Sequence, residues 1–152
     1  MRILVAYFSK SGNTQRAAMA IAGAVDGEIY QIKTKKKYPV SFLLTVRECK
    51  KELTSGEKPV LAGGMPKVEL YDKVLIGFPV WAGSLPPAVI GFLEKLDLKG
   101  NDIYPFYTSR GGRPRKAEGV IEAATGGNVH EFMNATRLRK VNLDEWLELD
   151  ED

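Results

Sequence analysis

The chain predicts an α/β protein, a parallel sheet with helices on both faces. Three observations carry that prediction. Ile3 to Phe8 and Val74 to Phe78 are unbroken apolar runs, as expected of strands covered on both sides, and Ile103 to Tyr107 follows less cleanly. Between the runs the apolar period changes to 3.6 residues. The two patterns alternate along the chain, which means right-handed βαβ units.

Each element can be justified in order. Ile3 to Phe8 is the first strand. Ala18, Ile21, Ala22 and Val25 then fall at i, i+3, i+4 and i+7, one face of a helix. Glu28 to Ile32 is a weaker strand signal. Lys33 to Met65 is harder to place and reads as a basic loop, a helix over Val40 to Leu53 with the stripe Phe42, Val46, Cys49 and Leu53, and a loop ending in "LAGGMP". Val74 to Phe78 is the next strand. In "SLPP", Ser84 reads as a helix cap and the prolines as first-turn residues, followed by the stripe Val89, Phe92, Leu93 and Leu96. Ile103 to Tyr107 is a strand that must accommodate Pro105, either where no N–H is needed or at a bulge. Ala117, Val120, Ile121 and Ala124 mark a further helix, Asn128 to Met133 a weak strand, and Leu143, Trp146 and Leu147 a short closing helix.

There is no internal repeat and no low-complexity linker, so residues 1–152 read as one domain, long enough to bury its own core. The single cysteine, Cys49, excludes an intramolecular disulfide and fits a reducing cytoplasm. The first apolar run is too short for a signal-peptide core or a membrane span. The charge of +3 is mild for a nucleic-acid binder. It is unevenly placed, with Lys33, Lys35, Lys36 and Lys37 in one cluster, Arg110, Arg113, Arg115 and Lys116 in another, and an acidic stretch from Asp144 to Asp152.

Three strands end in loops of unusual composition: "SKSGNT", "PVWAGS" and "TSRGGRPR". In an open parallel sheet ligands bind beyond the carboxyl ends of the strands, and the order of these loops places all three on that edge. "SKSGNT" joins a strand to a helix, so it offers free backbone N–H groups and the positive end of the helix dipole. Ser9, Ser11, Asn13 and Thr14 add side-chain donors, and Gly12 permits close approach. The stretch is either an over-decorated helix cap or a phosphate cradle. It matches neither the nucleotide-triphosphatase loop nor the dinucleotide turn. Charge-assisted hydrogen bonds contribute about 1.5–3 kcal/mol each against an association cost of about 4–15 kcal/mol, so a phosphate needs a second contact. Trp81 is either a core residue or a flat face on which a ring stacks for about 1–3 kcal/mol, and its loop-like flanks favour the second.

"ILVAYFSKSGNT", "DKVLIGFPVWAGSLPPAVIGFLEKLDLKG" and "IYPFYTSRGGRPRKAEGVIEA", with "YP" at 38 and 39 and the closing "NLDEWL", resemble successive blocks of the flavodoxin-like family, nearest its short-chain members. The resemblance covers nearly the whole chain. It implies a doubly wound, five-stranded parallel sheet of order 2-1-3-4-5 that binds FMN non-covalently. It further implies that Ser9, Ser11, Gly12, Asn13 and Thr14 hold the FMN phosphate. Pro79, Val80, Trp81, Ala82 and Gly83 would line the isoalloxazine, and Thr108, Ser109, Arg110, Gly111 and Gly112 would face its pyrimidine edge. Two departures stand out. Electron-carrying members are typically strongly acidic, and their third loop often supplies a stacking tyrosine where this chain has arginines and glycines.

Other residues are assigned no chemistry. His130, the only histidine, reads as structural, Cys49 as core, and Asp72 lies at the wrong end of its strand. No cluster has metal-ligand spacing. The expected role is electron transfer between redox partner proteins. The alternatives are an NAD(P)H-dependent FMN reductase of quinones or similar acceptors, and a binding module that keeps the fold without flavin.

Overall fold

The computed structural model describes residues 1–149; residues 150–152, the end of the acidic stretch, lie outside them. The elements run β1 (Ile3–Tyr7), α1 (Asn13–Val25), β2 (Glu28–Gln31), β3 (Lys33–Thr34), α2 (Phe42–Ser55), β4 (Leu61–Ala62), β5 (Lys73–Pro79), α3 (Pro87–Glu94), β6 (Asp102–Thr108), α4 (Ala117–Thr125), β7 (Asn128–Val129), β8 (Met133–Asn134) and α5 (Leu143–Trp146). The main sheet is parallel, in the order β2-β1-β5-β6, with β7 and β8 both paired to the outer side of β6. This is the expected 2-1-3-4-5 order, with the fifth place shared by two short strands.

That division explains Pro105. The carbonyls of Ile103 and Tyr107 accept from His130 and Ala135 on the outer side. Pro105 lies between them in the alternation, so its nitrogen faces outward too, opposite the gap between β7 and β8. Its register with β5 is unbroken, Ile76 opposite Pro105, so no bulge is needed. The missing N–H costs no ladder bond.

Alternation along β1 builds two cores. Ile3, Val5 and Tyr7 face α1 and α5 in a cluster with Ala18, Ile21, Tyr104, Phe106 and Leu147. Leu4, Ala6 and Phe8 face the other way, into a cluster with Cys49 of α2, Val89 and Phe92 of α3, and Ala117 and Ile121 of α4. At the centre, Gly77 passes under the Phe106 ring: a Cβ there would stand 2.2 Å from Phe106 Cζ. Only glycine lets β5 and β6 meet with that ring between them.

Two local expectations are corrected. Ser84 does not cap α3, whose N-cap is Pro86, with Pro87 as the first helical residue. Ser84 instead exchanges both backbone hydrogen bonds with Trp81, at 3.1 and 3.0 Å, around Ala82 and Gly83. Both of those carry positive φ, 54° and 71°, the backbone of a two-residue hairpin turn. The helix expected between Lys33 and Met65 is present as α2, but the two flanking loops hold more order than expected, because β3 and β4 pair antiparallel between them. The buried face of α2 is Thr45, Cys49 and Glu52, while Leu53 turns outward.

Candidate functional site

The strand order reverses between β1 and β5, and the three unusual loops leave the carboxyl ends of β1, β5 and β6. A cavity of about 440 Å³ opens there, within the usual range for a small-molecule site.

α2 is capped by the Ser41 side chain and α5 by Asn142, while α3 and α4 carry no side-chain cap. α1 has no side-chain cap although Ser11, Asn13 and Thr14 surround its start; its N-cap is Gly12 at φ 98°. No side chain caps its first turn, and Ser11, Asn13 and Thr14 line the cavity. Ser9 Oγ accepts from Gly12 N at 3.1 Å and closes the turn. Thr14 is buried, and its hydroxyl pairs with that of Thr108 at 2.7 Å, fastening the start of α1 to the end of β6.

In the second loop the hairpin turn carries Trp81 inward. The indole is 2 % exposed and packs edge-on against Phe8 and Tyr38, with centroids 5.6 and 5.2 Å away. It lines the cavity as part of a packed wall, which corrects the open stacking face that its flanks suggest. The physical reason is the turn: positive φ at Ala82 and Gly83 folds the loop back over the sheet instead of letting it project. In the third loop Ser109 Oγ accepts from Gly111 N and Gly112 N at 3.0 and 2.8 Å and donates to the Gly112 carbonyl. That turn is satisfied from within.

The cavity therefore brings together Ser11, Asn13, Thr14, Pro79, Val80, Trp81, Thr108, Ser109 and Arg110. Ser9, Gly12, Ala82, Gly83, Gly111 and Gly112 do not line it; they shape the loops that do. Sequence reading gave no site role to Lys10, Arg16, Ala17, Ala20, Val40, Phe42, Ala135, Thr136 or Leu138, which also line it. Arg16 had a legible signal, since it lies one helical turn beyond Gly12.

The lining is electrostatically one-sided. Lys10, Arg16 and Arg110 contribute positive charge, and no carboxylate is present among the described lining residues. Each cation is oriented. Lys10 Nζ donates to the Val40 carbonyl at 3.0 Å, Arg16 donates to Asn13 Oδ1, and the Arg110 guanidinium sits 4.0 Å over the Phe42 ring. Arg113 parts from Arg110 and lies in a separate cleft with Arg115, Glu118 and His130.

The wall is braced by α2. Buried Glu52 accepts from Tyr38 Oη at 3.1 Å to each oxygen and pairs with Lys36, which also reaches Glu48. Burial, then the neighbouring Glu52 charge, pushes the Tyr38 phenol well above its ordinary range, so it stays a donor. Burial likewise pushes the Cys49 thiol up to about 12.

His130 lies outside the cavity, stacked on Tyr104 and 2.9 Å from Asp102. Asp72 accepts from Arg2 N at 2.8 Å, pinning the chain start. Among the described residues there is no cluster able to hold a metal ion.

The family model described as Flavodoxin matches residues 2–149. The chain belongs to the flavodoxin family. A candidate flavoprotein of Bacteroides uniformis is 30 % identical, with a TM-score of 0.80, covering 97 % of both chains. A flavoprotein of Lactobacillus acidophilus, solved in complex with FMN, is 23 % identical with a TM-score of 0.81, covering 96 % of this chain and 98 % of that one. Oxidised Flavodoxin 2 of Bacillus cereus shares the family fold at 18 % identity and a TM-score of 0.56, covering 99 % of this chain and all of its own. No curated protein is significantly similar in sequence. No helix among the described residues is long and apolar enough to cross a membrane.

Proposed function

We propose that the cavity binds FMN and that the protein is a cytoplasmic, single-domain electron-transfer flavoprotein. The observation that carries this reading is the uncapped start of α1 beside a cavity lined by three cations and, among the described residues, no carboxylate. That donor set suits a ligand with a phosphate at one end. The Lactobacillus acidophilus relative, solved with FMN, supports the choice.

In this reading the first-turn N–H groups of α1, with Ser11 and Asn13, receive the phosphate, and Gly12 allows it to come close. Arg16 supplies counter-charge beside them. Pro79, Val80 and the Trp81 wall take the ring system, with Thr108, Ser109 and Arg110 at its polar edge. Ser9, Ala82, Gly83, Gly111 and Gly112 hold the three turns in shape. Thr14 acts through its bond to Thr108, keeping two of the loops at a fixed separation. Bound FMN supplies reversible electron acceptance, while the protein contributes binding, orientation and electrostatics.

Titration of the purified protein with FMN and with riboflavin tests the site. FMN is expected to bind at least about tenfold more tightly, the worth of one charge-assisted contact. Ser11→Ala weakens FMN selectively. Thr14→Ala weakens both ligands, because it unfastens α1 from β6. Equal affinity for FMN and riboflavin would remove the phosphate assignment. Oxidation of NADH or NADPH by the FMN-loaded protein alone would assign it as a reductase instead of a carrier.

A further inference from the structure

The surface beside the cavity mouth combines exposed apolar side chains with positive charge. Val40 is 96 % exposed, Leu43 79 % and Leu44 51 %. Val40 and its neighbour Phe42 line the cavity itself, so this patch continues into the site. Contiguous apolar patches of a few hundred Å² on a monomer are often interaction sites. Beyond the first turn of α2 the exposed face changes to Arg47, Lys50 and Lys51, and Lys10 and Arg110 border the mouth. The two carboxylates of α2, Glu48 and Glu52, are both engaged by Lys36. Among the described residues none of these five bordering cations pairs with a carboxylate.

We infer that this surface docks an acidic redox protein, with Val40, Leu43 and Leu44 as its apolar contact and Arg47, Lys50, Lys51, Lys10 and Arg110 as the complement to the partner's negative charge. The redox character of that partner rests on the FMN reading; its sign rests on charge alone. Complementary charge raises encounter rates and rejects partners of the wrong sign. A second copy of this chain docking by the same face would bring like charges together. An anionic membrane surface would call for an apolar face along the whole helix, whereas the exposed residues past the first turn are charged or polar except Leu53, at 37 %.

The test measures binding of an acidic [2Fe–2S] ferredoxin and of a cationic cytochrome c by calorimetry, to both FMN-loaded and FMN-free protein. The ferredoxin is expected to bind about tenfold or more tighter than the cytochrome at low salt, and to weaken by a similar factor at about 0.3 M salt. The double variant Leu43→Ser, Arg47→Glu, at two exposed positions, is expected to weaken ferredoxin about tenfold while FMN affinity stays as in the parent. Equal or tighter binding of cytochrome c would overturn the proposal. So would an unaffected double variant, a dimer in sedimentation, or tighter binding to phosphatidylserine vesicles than to ferredoxin. Ferredoxin binding without FMN uptake would uphold the surface and sink the flavin reading; FMN uptake without ferredoxin binding would do the reverse.

Discussion

At the scale of single residues, Arg110 shows what sequence and structure each contribute. Its loop and charge were legible, but its separation from Arg113 was not, because nothing in "TSRGGRPR" says which arginine the turn sends inward. The turn closed by Ser109 decides it: Arg110 covers Phe42 and lines the cavity, while Arg113 lines the other cleft. A cation about 5 Å from added negative charge, at an effective dielectric of about 20, contributes about 3 kcal/mol. Exposure and salt reduce this to roughly 1 kcal/mol or less, which is tens of millivolts per electron. Arg110→Gln is therefore expected to lower the midpoint potential of bound FMN by tens of millivolts, and Arg113→Gln to leave it unchanged. A spectroelectrochemical titration of both variants checks this, and equal shifts would place the arginines in one electrostatic environment. Trp81 illustrates the opposite failure. Its flanks read as loop, yet a hairpin turn with positive φ at Ala82 can bury a residue that has no periodic neighbours.

At the scale of elements, α2 matters most because it carries one side of the cavity mouth. It meets the core through Cys49 and Phe42, and a polar contact adds to that hold. Tyr38 packs on Trp81 and donates to Glu52, so a hydrogen bond links the cavity wall to the helix. Tyr38→Phe keeps the ring and removes that bond to a charged acceptor, and is expected to cost about 1.5–3 kcal/mol. Urea unfolding of the variant measures the cost, and a loss below about 0.5 kcal/mol would mean that Lys36 alone satisfies Glu52. The sequence pattern missed this arrangement for a physical reason. A glutamate that follows two lysines reads as solvated surface, and only the fold brings Tyr38 and Lys36 together around it. The β3–β4 pair was equally hidden, since two residues are too few to show a period. The long strands and amphipathic helices were legible because burial on one or two faces imposes that period directly.

At the scale of the whole molecule, the ionisable groups bracket a neutral optimum. Hydrogen bonds from His130 and then Asn128 hold the Asp102 carboxyl below its ordinary range. Hydrogen bonds from Arg2 and Tyr71 do the same for Glu28, and the Lys36 contact for Glu48. A depressed carboxylate contributes stability that is present above its unfolded value and lost as pH falls through the folded one. Cys49 runs the other way: its raised value contributes stability below the ordinary thiol range that is lost as pH climbs toward about 12. Urea midpoints are therefore expected to hold steady between about pH 5 and 8 and to fall on both sides. Asp102→Asn is expected to flatten the acid limb, and an acid limb as steep as the parent's would show that Asp102 has no part in it.

The divided fifth place of the sheet has a consequence for life in a crowded solution. An exposed sheet border is a template on which another chain can add a strand, and proteins that leave one long and flat invite fibrous association. Here the border is made of two pieces of two residues each, β7 and β8, with a gap between them where Pro105 presents no N–H. An incoming strand would find a ladder that stops after a single rung or two, so the same proline that looked awkward inside a strand helps keep neighbouring molecules apart.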